Sequence, residues 1–405
     1  MKVKTHWYAR PFPNNWEFYS TCEEGNNIDI AIKNDENTAK IAPNPKEVIL
    51  QGMAACTSVD IVSNLQKMRQ PLQKLSVECE AIQNETLPKV FKECLMTYKV
   101  TGENINIERV AYCVQLSFTK YCGVSAMIEK SGCFITPKLI VNEKEIDIWD
   151  PENKISNKLQ NWLQAMSKKA PSGFVLVTGS SRGIGAAMAK QLAKEGYAVI
   201  PTSRSKINFD HENIFDSLYL DVSNSFSILN LKEFLKRNSV KLNLLIQNAG
   251  ISSLENSDDL NALDLNFSEI RHVYETNVFG IIETTRVFQE IMNQNSIIAL
   301  VSSTMGQPER DSYLNASYRM SKRTVTQFAK QAALQSEMEN KKISIISFHP
   351  GSVKTDLNPG GKISVEKSAS QIGELFSIKN IHDIYKNNGQ FLIYNEKNKT
   401  WDPSY

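Results

Sequence analysis

The sequence predicts two modules: an α+β domain, then an α/β domain built on a doubly wound parallel sheet. Three observations carry this. The 405 residues are two or three domains at roughly 150 residues each. All seven cysteines, Cys22, Cys56, Cys79, Cys94, Cys113, Cys122 and Cys133, lie in the first third of the chain. Beyond them, apolar strand-like runs alternate with amphipathic helical runs, the pattern of a parallel sheet covered on both faces. Apolar residues at 41% and charged residues at 22% exclude a disordered, collagenous or disulfide-stapled chain.

The formal charge of +2 gives no long-range attraction to nucleic acid or anionic lipid, so neither nucleic acid nor a membrane is an expected partner. No run approaches the roughly 18 uninterrupted apolar residues of a membrane span, and the opening MKVKTHWYARPFPNN has no apolar core for a secretory signal. A cytoplasmic location with reduced thiols is expected.

The first module, residues 1–149, contains a long apolar helix introduced by Asn44 as cap and Pro45 in the first turn. A second helix follows at IERVAYCVQLS, with Ile107, Val110, Ala111 and Val114 on one face, and Cys122 opens a third. Residues 150–172, bracketed by Pro151 and Pro171, read as a linker helix docked on a neighbouring domain through Ile155, Leu159, Trp162, Leu163 and Met166. From residue 173 to 405 the order is FVLVT, GAAMAKQLAKEG, YAVIPT, LYLDV, SFSILNLKEFLKRN, LNLLIQNAG, SIIALVSS and KISIISFHP.

FVLVT runs directly into TGSSRGIG and a helix, the context in which glycines let a backbone approach a pyrophosphate at a helix N-terminus. Gly179, Gly183 and Gly185 are those glycines. Tyr318 and Lys322, four apart on a predicted helix, share a face. An adjacent ammonium favours the phenolate and brings a weak acid toward working pH. Ser303, at the carboxyl end of SIIALVSS, is placed to donate to the same substrate oxygen, with Ser302 as its rival. Where an acidic residue would select NAD, the second strand ends in Arg204, and the loop holds Arg182. Two guanidinium groups suit a 2′-phosphate, so NADP(H) is expected over NAD(H).

With those motifs in that order, residues from about Phe174 onward resemble the short-chain dehydrogenase/reductase family, which implies a Rossmann fold. The closing GQFLIYNEKNKTW is similar to its carbonyl-reductase and C-factor-like branch. The resemblance implies that Gly179, Ser181, Arg182, Gly183, Ile184 and Gly185 line the cofactor loop. It places Asp221 and Val222 beside the adenine, and Asn248, Ala249 and Gly250 after the fourth strand. Pro350, Gly351, Val353 and Thr355 would close on the nicotinamide. It gives Ser303, Tyr318, Lys322 and Asn277 as the catalytic set, Lys322 also binding the nicotinamide ribose, and a small carbonyl or alcohol as substrate.

In the first module Cys56 lies in NPKEVILQGMAACTSVDIV and Cys122 in SFTKYCGVSAMIEKSG. A helix N-terminus and nearby Lys120 stabilise a thiolate at Cys122. These segments resemble the OsmC/Ohr family of thiol-dependent peroxidases and related proteins over roughly Pro45 to Glu145. The resemblance implies a first and a resolving cysteine acting on an organic hydroperoxide, and a homodimer or higher oligomer. The acid that assists the first thiol is delayed here to Glu47, and Arg10 and Arg69 are the candidate arginines. A non-catalytic dimerisation or ligand-binding scaffold is the competing reading. The other cysteines show no ligand spacing, and no metal site is expected. The motifs after residue 133 suit a nicotinamide alone, without a cysteine, so two parallel activities are expected rather than direct reduction of a disulfide by NADPH.

Overall fold

In the computed structural model, which describes residues 3–7, 15–22, 27–33, 42–252, 263, 266–309, 312 and 314–404, the first of two units, Met1–Lys154, holds two sheets. Strands β1 (Val3–Trp7), β2 (Asn15–Cys22) and β3 (Asn27–Lys33) form an antiparallel sheet in that order. Strands β4 (Lys74–Gln83), β5 (Phe91–Thr101), β6 (Phe134–Val141) and β7 (Lys144–Ile146) form the other. Only β5 and β6 pair parallel in it, and parallel neighbours need a crossover.

The long helix α1 (Pro45–Lys67) begins where Asn44 and Pro45 predict. The Asn44 side chain accepts from the Lys46 and Glu47 amides at 3.0 Å each, and the Glu47 carboxylate accepts from the Asn44 amide at 2.9 Å, a reciprocal capping box. Met53, Thr57, Ile61 and Leu65, spaced four apart, are its buried stripe. By length and composition alone α1 is apolar enough to cross a bilayer. Here it packs on β4 and on the crossover helices α2 (Ile107–Leu116) and α3 (Gly123–Lys130). A π-helical turn, Ser117–Tyr121, joins those two helices.

The second unit, Ile155–Tyr405, begins within the first turn of α4 (Lys154–Lys169), the segment read as a linker. Its Leu159 is fully buried in the core beside Leu176, Ile200 and Phe215, with Trp162 and Leu163 packed against it. The Trp162 indole donates to the Glu212 carbonyl at 2.9 Å, and Lys169 pairs with Glu212 at 2.8 Å. Ile155, expected on the same face, is 39% exposed, because the contact starts a turn later.

The sheet contains β8 (Phe174–Val177), β9 (Ala198–Ser203), β10 (Leu218–Tyr219), β11 (Leu242–Gln247), β12 (Met292–Val301), β13 (Ile343–His349), β14 (Phe391–Asn395) and β15 (Thr400–Pro403). Their order is β10-β9-β8-β11-β12-β13-β14-β15, all parallel except β15. Helix α5 (Gly183–Lys194) leads from β8 toward β9, α6 (Ser225–Arg237) from β10 toward β11, and α9 (Ala316–Met338) from β12 toward β13, with α7 (Phe267–Tyr274) and α8 (Gly280–Phe288) between β11 and β12. Buried apolar side chains form a layer on each face of the sheet. This is the doubly wound parallel sheet the alternation predicts. Chain order reverses between β8 and β11, and in open α/β sheets ligands bind at the carboxyl ends of strands at such a point.

Candidate functional site

The β8–α5 loop is shaped by close backbone approach. Gly179 has φ +67°, and a Cβ there would lie 2.8 Å from the Ala249 Cα. A Cβ on Gly185 would lie 2.2 Å from the Gly179 carbonyl oxygen. Arg182, at the N-cap of α5, makes no side-chain cap, so the first-turn amides of Gly183, Ile184 and Gly185 are left for an anion. The Thr178 hydroxyl accepts from the Asn248 and Ala249 amides at 3.0 Å each, while the Asn248 side chain donates to the carbonyls of Thr178 (3.1 Å) and Gly179 (3.0 Å). Asn248 is thus the brace between the strand ends and the loop. These residues fit a dinucleotide pyrophosphate.

Asp221 accepts from the Ser223 amide at 3.0 Å and hydroxyl at 2.7 Å, and Val222 is buried. Arg204 is exposed just beyond β9, as is Ser181 in the loop. Arg182 is ion-paired with Asp356 on the surface. The Pro350 carbonyl accepts from Ser368 at 2.6 Å, and after Gly351 the chain is pinned by a bridge from Val353 to Ile363 and by Thr355 bonding Asn358.

Four side chains meet at the ends of β11 and β12. Tyr318 and Lys322 lie one turn apart on α9, the Lys322 Nζ 5.6 Å from the Tyr318 ring centroid. The Ser303 hydroxyl bonds the Tyr318 phenol, whereas Ser302 bonds the Lys322 carbonyl at 2.9 Å and the Thr326 hydroxyl at 2.8 Å. Asn277 sits in a π-helical turn, Glu275–Phe279, a feature frequent at functional sites. Its amide accepts from the Ile251 N–H and donates to the Ile251 carbonyl, both at 2.8 Å, and donates to Ser321 at 3.1 Å. A Cβ on Gly250 would be 3.2 Å from the Asn277 Oδ1 and 3.5 Å from the Lys322 Nζ, so glycine there gives both side chains room.

One expectation reverses. The phenol of Tyr318 is pushed up to about 12 by burial, only partly offset by its bond to Ser303. Lys322 itself is depressed to about 8 by burial, and its ammonium donates to the Val301 carbonyl at 2.9 Å. Burial outweighs the neighbouring cation.

A stability signature follows. Below pH 8 the folded and unfolded chains both carry the Lys322 charge, and the cost of burying it is fully present. Between about pH 8 and 10.5 the unfolded chain binds more protons, so stability rises with pH, by roughly a few kcal/mol at most. Buried thiols such as Cys113, raised to about 11, lose stability over the same window, so thermal melting of the full chain at rising pH, kept below the ordinary tyrosine range, should show the Lys322 rise as a difference between wild type and variant. Relative to a Lys322→Met variant, which keeps those thiols, the wild type should gain stability from about pH 8 upward, and parallel curves would refute the assignment.

In the first unit, Cys56 on α1 and Cys122 at the N-cap of α3 face each other, their sulfurs within 4.8 Å. Cys122 is 3% exposed and accepts from the Ser125 amide at 3.3 Å and hydroxyl at 3.0 Å. The Val124 amide is directed at the Cys56 sulfur. The Cys56 thiol is nevertheless raised above its ordinary range, first by burial and then by the neighbouring thiol, so this first thiol is not the acidic one its role leads one to expect. Glu47 is spent in the capping box. Arg69 lies past the C-terminal end of α1, roughly 18 Å along the axis from Cys56, and Arg10 lies outside the described residues. Among the described residues, the carboxylate that does reach the thiols is Asp60: its oxygen and the two sulfurs all lie within 4.8 Å of one another. Its signal in the sequence was the spacing of four from Cys56, which puts both on one helix face.

Fold and geometry define a nicotinamide-dependent oxidoreductase unit preceded by a thiol-bearing unit. Comparison with known proteins gives each a family. Residues 173–362 match the short chain dehydrogenase model, and residues 35–138 match the OsmC-like protein model. The chain is 30% identical over 224 residues to the short-chain dehydrogenase anuI of Penicillium roqueforti, across 49% of this chain and 86% of that protein. It is 30% identical over 212 residues to the NADPH-dependent 1-acyldihydroxyacetone phosphate reductase of Saccharomyces cerevisiae, across 48% of this chain and 64% of that one. At the other end it is 36% identical over 97 residues to protein YhfA of Escherichia coli, across 24% of this chain and 72% of YhfA. The chain belongs to the short-chain dehydrogenase/reductase family through its C-terminal unit and carries an OsmC-like domain at its N-terminus.

Proposed function

We propose that the C-terminal unit reduces a small carbonyl compound to an alcohol with NADPH. The observation that carries this reading is the convergence of Ser303, Tyr318, Lys322 and Asn277 beside the glycine cradle. When bound, the nicotinamide supplies the hydride. Ser303 and Tyr318 hold the substrate oxygen between two hydroxyls, and the Tyr318 phenol delivers the proton that the developing alkoxide needs. Lys322 would hold the ribose beside the phenol, and Asn277, which donates to Ser321 on the same turn of α9, fixes that turn.

Arg204 supports NADPH over NADH, because it is exposed at the end of β9, where a guanidinium can meet a 2′-phosphate. Arg182 would first exchange Asp356, an exposed pair worth about 1 kcal/mol or less. Arg204→Ala is expected to weaken NADPH binding roughly 10- to 100-fold and to leave NADH nearly unchanged, as read by nucleotide fluorescence titration. Equal losses for both nucleotides would refute the preference. The broader reading is tested by NADPH oxidation against a panel of aldehydes and ketones.

The facing thiols favour a second activity, reduction of an organic hydroperoxide. Cys56 would attack the distal oxygen, releasing an alcohol and leaving a sulfenic acid. Condensation with Cys122 then forms a disulfide and water. Peptide mapping after stoichiometric cumene hydroperoxide should find the Cys56–Cys122 linkage before other oxidation. If Cys56 stays reduced while other thiols oxidise, the domain is a scaffold.

A further inference from the structure

We infer that Cys56, Asp60 and Cys122 form a binding site for a thiophilic divalent cation of the zinc class, one ion per chain. Two sulfurs and a carboxylate oxygen lie within 4.8 Å of one another. Tetrahedral zinc, with bonds of about 2.3 Å to sulfur and about 2.0 Å to oxygen, sets its ligands roughly 3.5–3.8 Å apart. The three atoms therefore need only to close in slightly around an ion. Their supports come from different elements. Cys56 and Asp60 are one turn apart on α1, so helical geometry alone sets their spacing. Cys122 is held at the N-cap of α3 by the Ser125 amide and hydroxyl. The fully buried Ser117, in the π-helical turn before it, donates to the Asp60 Oδ2 at 3.1 Å. Such a partner orients a ligating carboxylate and leaves its other oxygen for the ion.

Charge favours a cation. With both thiols ionised the three ligands carry three negative charges, and a divalent ion leaves one, faced by the first-turn amides of Val124 and Ser125. Binding releases the two thiol protons to solvent and changes no oxidation state. Soft thiolates with one carboxylate select zinc-like ions over magnesium or calcium. Three protein ligands leave the fourth position open, as in zinc sites that bind water or a small ligand. The ion and a Cys56–Cys122 disulfide are mutually exclusive, because both need the same sulfur electron pairs.

The test uses the full chain, reduced and stripped with a chelator under anaerobic conditions, and titrated with cobalt(II) as the probe. The expected result is one equivalent taken up with thiolate-to-cobalt charge-transfer absorption and the visible bands of a tetrahedral ion, then displaced by zinc. Cys56→Ser and Cys122→Ser should each abolish the charge-transfer band at that stoichiometry. Asp60→Asn, isosteric and checked for folding by circular dichroism, should weaken binding at least roughly tenfold while keeping a sulfur signature. No tetrahedral cobalt signal, or the same signal from a Cys56→Ser/Cys122→Ser double variant, would overturn the site. Wild-type affinity in Asp60→Asn would remove the carboxylate from it and overturn the three-ligand assignment. No peroxide enters the measurement, so a thiol pair inert toward hydroperoxides still answers it.

Discussion

Replacing Tyr318 by phenylalanine is expected to lower carbonyl reduction by about 10²- to 10⁴-fold, the range attributed to one positioned proton donor, while NADPH binding stays close to wild type. The substitution takes away the phenol oxygen alone, and with it the hydrogen bond to Ser303. The proposed nucleotide cradle is built from other elements: the β8–α5 loop, the Asn248 brace and the ends of β9 and β10. The discriminating measurement is therefore kcat beside the NADPH dissociation constant. A loss confined to kcat places Tyr318 in proton transfer. A matching loss of nucleotide affinity would make it a packing residue of the cradle, and unchanged kcat would remove it from the chemistry. The companion Ser302→Ala should be milder, since Ser302 holds α9 to β12 through the Lys322 carbonyl and Thr326.

Gly185→Ala is expected to have the next largest effect. Its new methyl would sit 2.2 Å from the Gly179 carbonyl oxygen and 2.5 Å from the Asn248 Nδ2. Neither neighbour is a flexible side-chain end free to swing away, because Asn248 is itself bonded to the carbonyls of Thr178 and Gly179. Overpacking of this kind costs about 1–3 kcal/mol. Carried by the loop proposed to hold the pyrophosphate, it corresponds to about a 5- to 150-fold weaker NADPH complex. Isothermal titration with NADPH reads it directly, with thermal melting as the check on folding. Wild-type affinity would mean that the loop does not hold the pyrophosphate through this close approach.

The parts legible in the sequence were those written locally. The order of strand and helix runs, the TGSSRGIG loop at a strand end and the four-residue step from Tyr318 to Lys322 each depend on neighbours along the chain. They therefore indicated the doubly wound sheet and its cradle. What was not legible depends on contacts between distant segments. Asp60 joins the thiols only because α1 packs against the turn before α3, and Ser117, its orienting partner, lies 57 residues away. Arg182 meets Asp356 across 174 residues. The direction of the Tyr318 shift is hidden from the sequence for the same reason. Spacing predicts that Lys322 is near, but not that both groups are buried or that the ammonium is engaged by the Val301 carbonyl. The helix Lys154–Lys169 was recognisable as an apolar stripe needing a surface, yet its integration into the second unit's core required seeing Leu159 beside Ile200 and Phe215.

The uneven distribution of cysteine has a practical meaning for any experiment on oxidative damage. Cys133 is the last cysteine in the chain, so the whole unit Ile155–Tyr405 is thiol-free. A dose of oxidant or maleimide that consumes every sulfhydryl leaves Ser303, Tyr318 and Lys322 in a unit without a target of that chemistry. Each molecule thus carries an internal standard. Nucleotide binding by one half counts the intact chains in a sample, and the ratio of free thiols to that count reports the redox history of the other half.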